Sequence, residues 1–202
     1  VWAATSLNGL YRLNPGGRRF QRFVLVANFG GNLNQINTLF EDIAGRLWIG
    51  GFQEVLVIDP ARRHVTRLGA ADNSHSLAPG ANNTLAEPTP GQIWTGGSRG
   101  VINVVDPRTL LVRRILADPE NPVGLPSGQF LQFLRDRSGL LWIATQQGLL
   151  VQNPASRGIY SLSATRADLG LRGRQTSALA YAPDGSLIVA DSYAEAGNVV
   201  RL

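Results

Sequence analysis

Trp2, Trp48, Trp94 and Trp142 stand 46, 46 and 48 residues apart, and Ile188 falls a further 46 residues on. The residues around each of these positions agree: Gly45-Arg46-Leu47-Trp48, Gly91-Gln92-Ile93-Trp94, Gly139-Leu140-Leu141-Trp142 and Gly185-Ser186-Leu187-Ile188. A second landmark follows each tryptophan: Asn14-Pro15, Asp59-Pro60, Asp106-Pro107 and Asn153-Pro154. Two landmarks held at one period mean a stacked repeat, in which no unit buries its apolar face alone.

Residues 34–69 show the content of one unit. Ile36–Phe40 reads as a first strand and Leu47–Ile49 as a second. Asp42-Ile43-Ala44-Gly45 lies between them, with an Asp side chain to bond the backbone and a Gly for positive φ, as a tight hairpin needs. Val55–Ile58 is a third strand ended by Asp59-Pro60, and His64–Leu68 a fourth. Gly91, Gly139 and Gly185 repeat the hairpin glycine of Gly45, while Gly50-Gly51 and Gly96-Gly97 read as turns after a strand. Middle strands such as Val55–Ile58 and Leu140–Ala144 are apolar on both faces, so their sheet is covered on both sides. No helix-length amphipathic segment exists to cover it. Neighbouring sheets must do so, which predicts radially stacked β-propeller blades.

The expected fold is all-β, a propeller fragment of about four to five four-stranded antiparallel blades. The blades are a partial one at 1–33, whole ones at 34–80, 81–127 and 128–174, and a partial one at 175–202. The first lacks its first strand and the last its fourth, which predicts an open arc rather than a closed ring. The chain opens at Val1 on a repeat landmark, so it reads as a piece of something longer. Trp2, Trp48, Trp94 and Trp142 should wedge between blades, and losing one buried Trp costs roughly 3–5 kcal/mol.

Composition removes several functions. No cysteine is present, so disulfides and thiolate metal sites are excluded. No apolar run approaches the roughly 20 residues of a membrane helix. The net charge of +5 comes from arginine alone. Arg18, Arg19, Arg22, Arg62, Arg63, Arg67, Arg113, Arg114 and Arg157 share one repeat phase, at the last strand of each blade. Charge there guards an exposed sheet edge, and basic residues interleaved with exposed aromatics are missing, so no nucleic-acid partner is expected.

The pattern Asp-x-x-Gly-x-Leu-Trp-Ile-Gly resembles the two-component regulator propeller repeat. The best copies are Leu33–Pro60 and Leu125–Pro154, the latter with Asp136-Arg137-Ser138-Gly139 and Leu141-Trp142-Ile143-Ala144-Thr145. The resemblance implies a seven-bladed ring in the periplasmic sensor half of a bacterial signalling protein. The parent would be membrane-anchored and dimeric, with a histidine kinase, diguanylate cyclase or transcription-factor output. Seven blades need about 320 residues, so this chain would be one arc. The resemblance carries over no catalytic residue.

The search for chemistry finds few candidates. His64 and His75 have no partner at metal spacing, so no metal and no cofactor are expected. Asp42, Asp136 and Asp184 form a carboxylate series, but their place in the hairpin turn gives them a structural task. The remaining polar variety lies on one rim, formed by second-to-third-strand loops and the crossings between blades. A fixed frame with variable loops is the layout of a recognition surface. Gln53, Arg99, Gln146, Tyr193 and Arg174 are the ligand-binding candidates there, and the arginines favour an anionic small molecule or glycan. A non-catalytic ligand sensor is the leading reading. The alternatives are a protein–protein scaffold and, third, a propeller lyase or glycan-active enzyme, which would need channel-facing His or carboxylate clusters.

Overall fold

The computed structural model describes all residues except 6–8, 24–35, 72, 74, 119–123, 154, 156–158, 163–168, 170, 172–174 and 192–197. It forms five small antiparallel sheets, arranged as a five-bladed propeller fragment. The first blade holds β1 (Trp2–Thr5), β2 (Gly9–Leu13) and β3 (Phe20–Arg22). The second holds β4 (Thr38–Glu41), β5 (Leu47–Gly50), β6 (Glu54–Ile58) and β7 (Val65–Gly69). The third holds β8 (Asn82–Thr89), β9 (Gln92–Gly97), β10 (Val101–Val105) and β11 (Val112–Leu116). The fourth holds β12 (Phe130–Arg135), β13 (Leu141–Thr145), β14 (Gly148–Gln152) and β15 (Ile159–Leu162). The fifth holds β16 (Thr176–Tyr181), β17 (Leu187–Asp191) and β18 (Asn198–Arg201). Each sheet pairs its strands in chain order, and the inner strands β4, β8, β12 and β16 abut in sequence.

Strand periodicity explains the packing. Every residue of β5 and β6 is buried. Alternate side chains point to opposite neighbours. Leu47, Ile49, Leu56 and Ile58 pack with Leu10 and Trp2 of the first blade. Trp48, Val55 and Val57 pack with Leu85, Ile93, Val105 and Val112 of the third. Trp94 reaches Phe133, Leu141 and Ile143 of the fourth, and Trp142 packs against the cluster containing Leu179, Leu187 and Val189 of the fifth. The tryptophans thus wedge between successive blades as their period requires. Trp48 is fully buried, Trp94 nearly so, and Trp2 and Trp142 half-buried.

The hairpin glycines Gly45, Gly91, Gly139 and Gly185 take φ of 78°, 80°, 92° and 89°, the left-handed region that the turn demands. The second glycine series departs from expectation. Gly96 and Gly97 are not a turn but the end of β9, where a Cβ on Gly97 would stand 1.5 Å from the Ala81 carbonyl oxygen. Glycine is needed there because the crossing chain lies on the strand.

Two of the presumed edge arginines also act differently. Arg62 lies 5.4 Å over the Trp2 ring and donates to the Gly45 carbonyl at 2.9 Å and to Glu41 at 2.5 Å, so it ties the first blade to the second. Arg114 donates to the carbonyl oxygens of Ala71, Ser76 and Leu77 at 2.7–3.1 Å and holds the crossing before the third blade. Arg18, Arg19, Arg63 and Arg113 are exposed, as edge charges should be. Arg157 lies outside the described residues.

Candidate functional site

The second-to-third-strand loops of the three central blades open at one rim. That rim also carries the crossings between blades. Gln53 takes φ of 64°; its N–H donates to the Gly80 carbonyl at 2.9 Å, and its Oε1 accepts the Gly80 N–H at 3.2 Å. Gln146 is held likewise, its backbone N–H on the Gln129 carbonyl at 3.1 Å and its Nε2 on Gln129 Oε1 at 3.0 Å. Arg99 sits in a single 3-10 turn, Ser98–Gly100, with φ of 71° and an exposed side chain. These three candidates share the rim as three separate loops. Tyr193 and Arg174 lie outside the described residues.

Other rim residues turn out to be mortar. Asn82 is buried; its Nδ2 reaches the Gly51 and Glu54 carbonyls at 3.3 Å, and its Oδ1 accepts the Thr95 hydroxyl at 3.0 Å. Glu54 is buried and accepts from Arg67 at 2.5 Å. Ser98 Oγ accepts the Ala81 N–H at 2.9 Å. A buried Asn must satisfy its amide, and these bonds do so while stitching the second blade to the third.

The opposite end carries the first hairpin turns. Asp42 Oδ1 accepts the Arg46 backbone N–H, and its Oδ2 accepts the Trp48 indole N–H at 2.8 Å and Arg46 Nε at 2.7 Å. Asp136 repeats this, accepting the Leu140 N–H and the Trp142 indole N–H, each at 2.9 Å. Burial opposes ionisation of Asp42, but hydrogen bonds from Trp48 and Arg46 outweigh it and hold the carboxyl below its usual range. At Asp136 burial is likewise outweighed, by Ser138, Trp142 and Leu140. The Asp six residues before Trp48 and before Trp142 is therefore a turn cap and an indole acceptor at once, a pairing that its spacing encodes. Asp184 is not its counterpart. It caps Ser186 and pairs with Arg201, while Ala182 stands at the equivalent position, opposite Ile188. Among the described residues no three His, Asp or Glu side chains gather as metal ligands.

Residues 30–53 and 124–147 match the family model described as two component regulator propeller. These are two-component regulator propeller repeats. They cover the first two strands of the second and fourth blades, the two that keep the Asp–Trp pair. The propeller fold extends beyond the matched stretches. The chain superposes with TM-score 0.74 and 17% identity on the extracellular domain of BT3049 from B. thetaiotaomicron, assigned as a hybrid two component system. It does so with TM-score 0.73 and 16% identity on that of BT4673 from the same organism, also assigned as a hybrid two component system. The alignments cover 100% and 99% of this chain and 25% of each larger one. The chain therefore spans about a quarter of the length of those structures. No curated protein sequence matches it. Among the described residues no helix is long and apolar enough to cross a membrane.

Proposed function

We propose that this chain is the ligand-sensing segment of a bacterial signal-transduction receptor, that it stands in the periplasm, and that it acts without catalysis. The observation that carries this reading is the union of regulator-propeller repeats with an arc that superposes, over its whole length, on extracellular domains assigned to two-component systems. A membrane-anchored, dimeric parent would pass the signal to a kinase or cyclase domain.

The rim supplies recognition. Gln53 and Gln146 are pre-positioned by hydrogen bonds of their backbone and side chains to Gly80 and Gln129, which lowers the ordering cost of binding. Arg99 is exposed at a fixed positive-φ turn and presents a cation for an anionic small molecule or an acidic glycan. Arg174 and Tyr193 would extend the same surface.

The test is made in the intact receptor by measuring signal output. Arg99→Ala with Gln146→Ala on the rim is compared with Arg18→Ala with Arg63→Ala on the edges. Loss of the response in the rim pair with retention in the edge pair is expected. Loss in the edge pair alone would reject the rim as the sensing face.

A further inference from the structure

The junction of the third and fourth blades departs from the repeat at three positions, Pro88 and Gln92 on the third blade and Gln152 on the fourth. In the second blade, Asp42 accepts the Trp48 indole N–H, and Arg46 reaches across to the Pro107 carbonyl of the third blade at 2.5 Å. Val105, on the facing blade, is buried and apolar. One repeat later, Pro88 replaces Asp42, Gln92 replaces Arg46, and Gln152 faces the junction where Val105 did. The carboxylate and the strut are gone, and a polar group has entered.

A cavity of about 570 Å³ lies at this junction, lined by Gln92, Trp94, Arg113 and Ile115 from the third blade and by Gln152 and Ile159 from the fourth. Trp94 and Gln152 are each 6% exposed. The Trp94 indole N–H and Gln152 Oε1 have no hydrogen-bond partner. An unpaired buried donor and an unpaired buried acceptor each weaken the fold, so this junction retains two polar groups at the expense of stability. Ligand sites are cavities of a few hundred Å³ that combine apolar walls with polar groups, and here Trp94, Ile115 and Ile159 stand with Thr89, Gln92, Arg113 and Gln152.

We propose that this cavity binds a small carboxylate that also carries an O–H or N–H donor, a hydroxy acid or an amino acid. Its carboxylate takes the position that Asp42 and Asp136 hold in the neighbouring repeats, accepting the Trp94 indole N–H. Arg113 supplies the countercharge that Arg46 gives Asp42. Its O–H or N–H donates to Gln152 Oε1. Ile115 and Ile159 contact its carbon chain. The site stands at the turn end of the blades, away from the rim, and does not depend on the sensing role of Arg99.

The test uses the four indole N–H resonances of the protein in 15N–1H spectra. Gluconate represents the hydroxy acids and glutamate the amino acids, with sorbitol as the uncharged control. Gluconate or glutamate should shift the Trp94 resonance saturably, leaving Trp48 and Trp142 in place, and sorbitol should not. Pro88→Asp supplies the carboxylate from the chain itself and should weaken probe binding at least about tenfold. Gln152→Ile should weaken it similarly, and unchanged Trp48 and Trp142 resonances certify the fold of both variants. Arg99→Ala should leave the titration unchanged. A Trp94 resonance unmoved by either acid, an equal response to sorbitol, or full binding by Pro88→Asp would each overturn the proposal.

Discussion

At the scale of single residues, the Asp–Trp pair explains why the blades differ in cost. The second and fourth blades satisfy the indole N–H with a carboxylate that already caps the hairpin. The fifth has lost both partners together, to Ala182 and Ile188. The third has lost only the acceptor, which leaves Trp94 unpaired. Asp42→Ala or Asp136→Ala should each cost roughly 1–3 kcal/mol in urea unfolding, because a buried donor is left alone. The same pair sets an acid limit. Both carboxyls are held below the ordinary carboxyl value of 3.8, so the folded state binds fewer protons than the unfolded one. Their contribution is fully present above that value and is lost as pH falls through the lower folded-state pKa. The carboxylate of Asp136 acts across the next junction too, where burial and its charge push the Tyr181 phenol up to about 12.

At the scale of elements, strands and hairpin turns were legible in the sequence because they rest on local pattern. Alternating burial places Trp48 and Leu47 on opposite neighbours, and the hairpin glycines take the positive φ that their turn requires. The fasteners between blades were not legible, because they join residues one repeat apart through irregular backbone. The inner strand β12 shifts register between Phe130 and Gln132, and the Phe133 N–H is taken by Thr84 Oγ1 of the third blade at 2.7 Å. One junction on, the β16 register shifts between Thr176 and Ala178, and Gln132 Oε1 accepts the Leu179 N–H at 2.6 Å while its Nε2 donates to the Leu179 carbonyl at 2.9 Å. A bulge frees backbone groups, and the preceding blade supplies the side chain that satisfies them. Gln132→Leu should therefore destabilise by about 1–3 kcal/mol and speed amide exchange at Leu179, read by hydrogen–deuterium exchange. For the candidate site, the rim position of Gln53, Arg99 and Gln146 followed from strand order. The structural duties of Asn82 and Glu54, and the unpaired groups at Trp94 and Gln152, required coordinates. Their signal lay in the comparison of repeats, where Pro88, Gln92 and Gln152 depart from the pattern together.

At the scale of the molecule, four core clusters lie at the four junctions, so each blade leans on its neighbours. The three-stranded first and fifth sheets each adjoin one described blade, whereas the central sheets adjoin two. Amide exchange should be fastest in Trp2–Leu13 and Leu187–Arg201 and slowest in β5, β6, β9 and β10. Uniform protection across the five sheets would contradict this ordering. The central claim is that a turn-borne carboxylate locks Trp48 and Trp142 and that Trp94 of the third blade lacks one. A pH titration of the indole N–H resonances in 15N–1H spectra tests it most directly. The expected result is that Trp48 and Trp142 move together in the acid range, below the ordinary carboxyl value of 3.8, while Trp94 stays still. A Trp94 resonance that titrates with the other two, or a Trp48 resonance indifferent to acid while the chain remains folded, would contradict it.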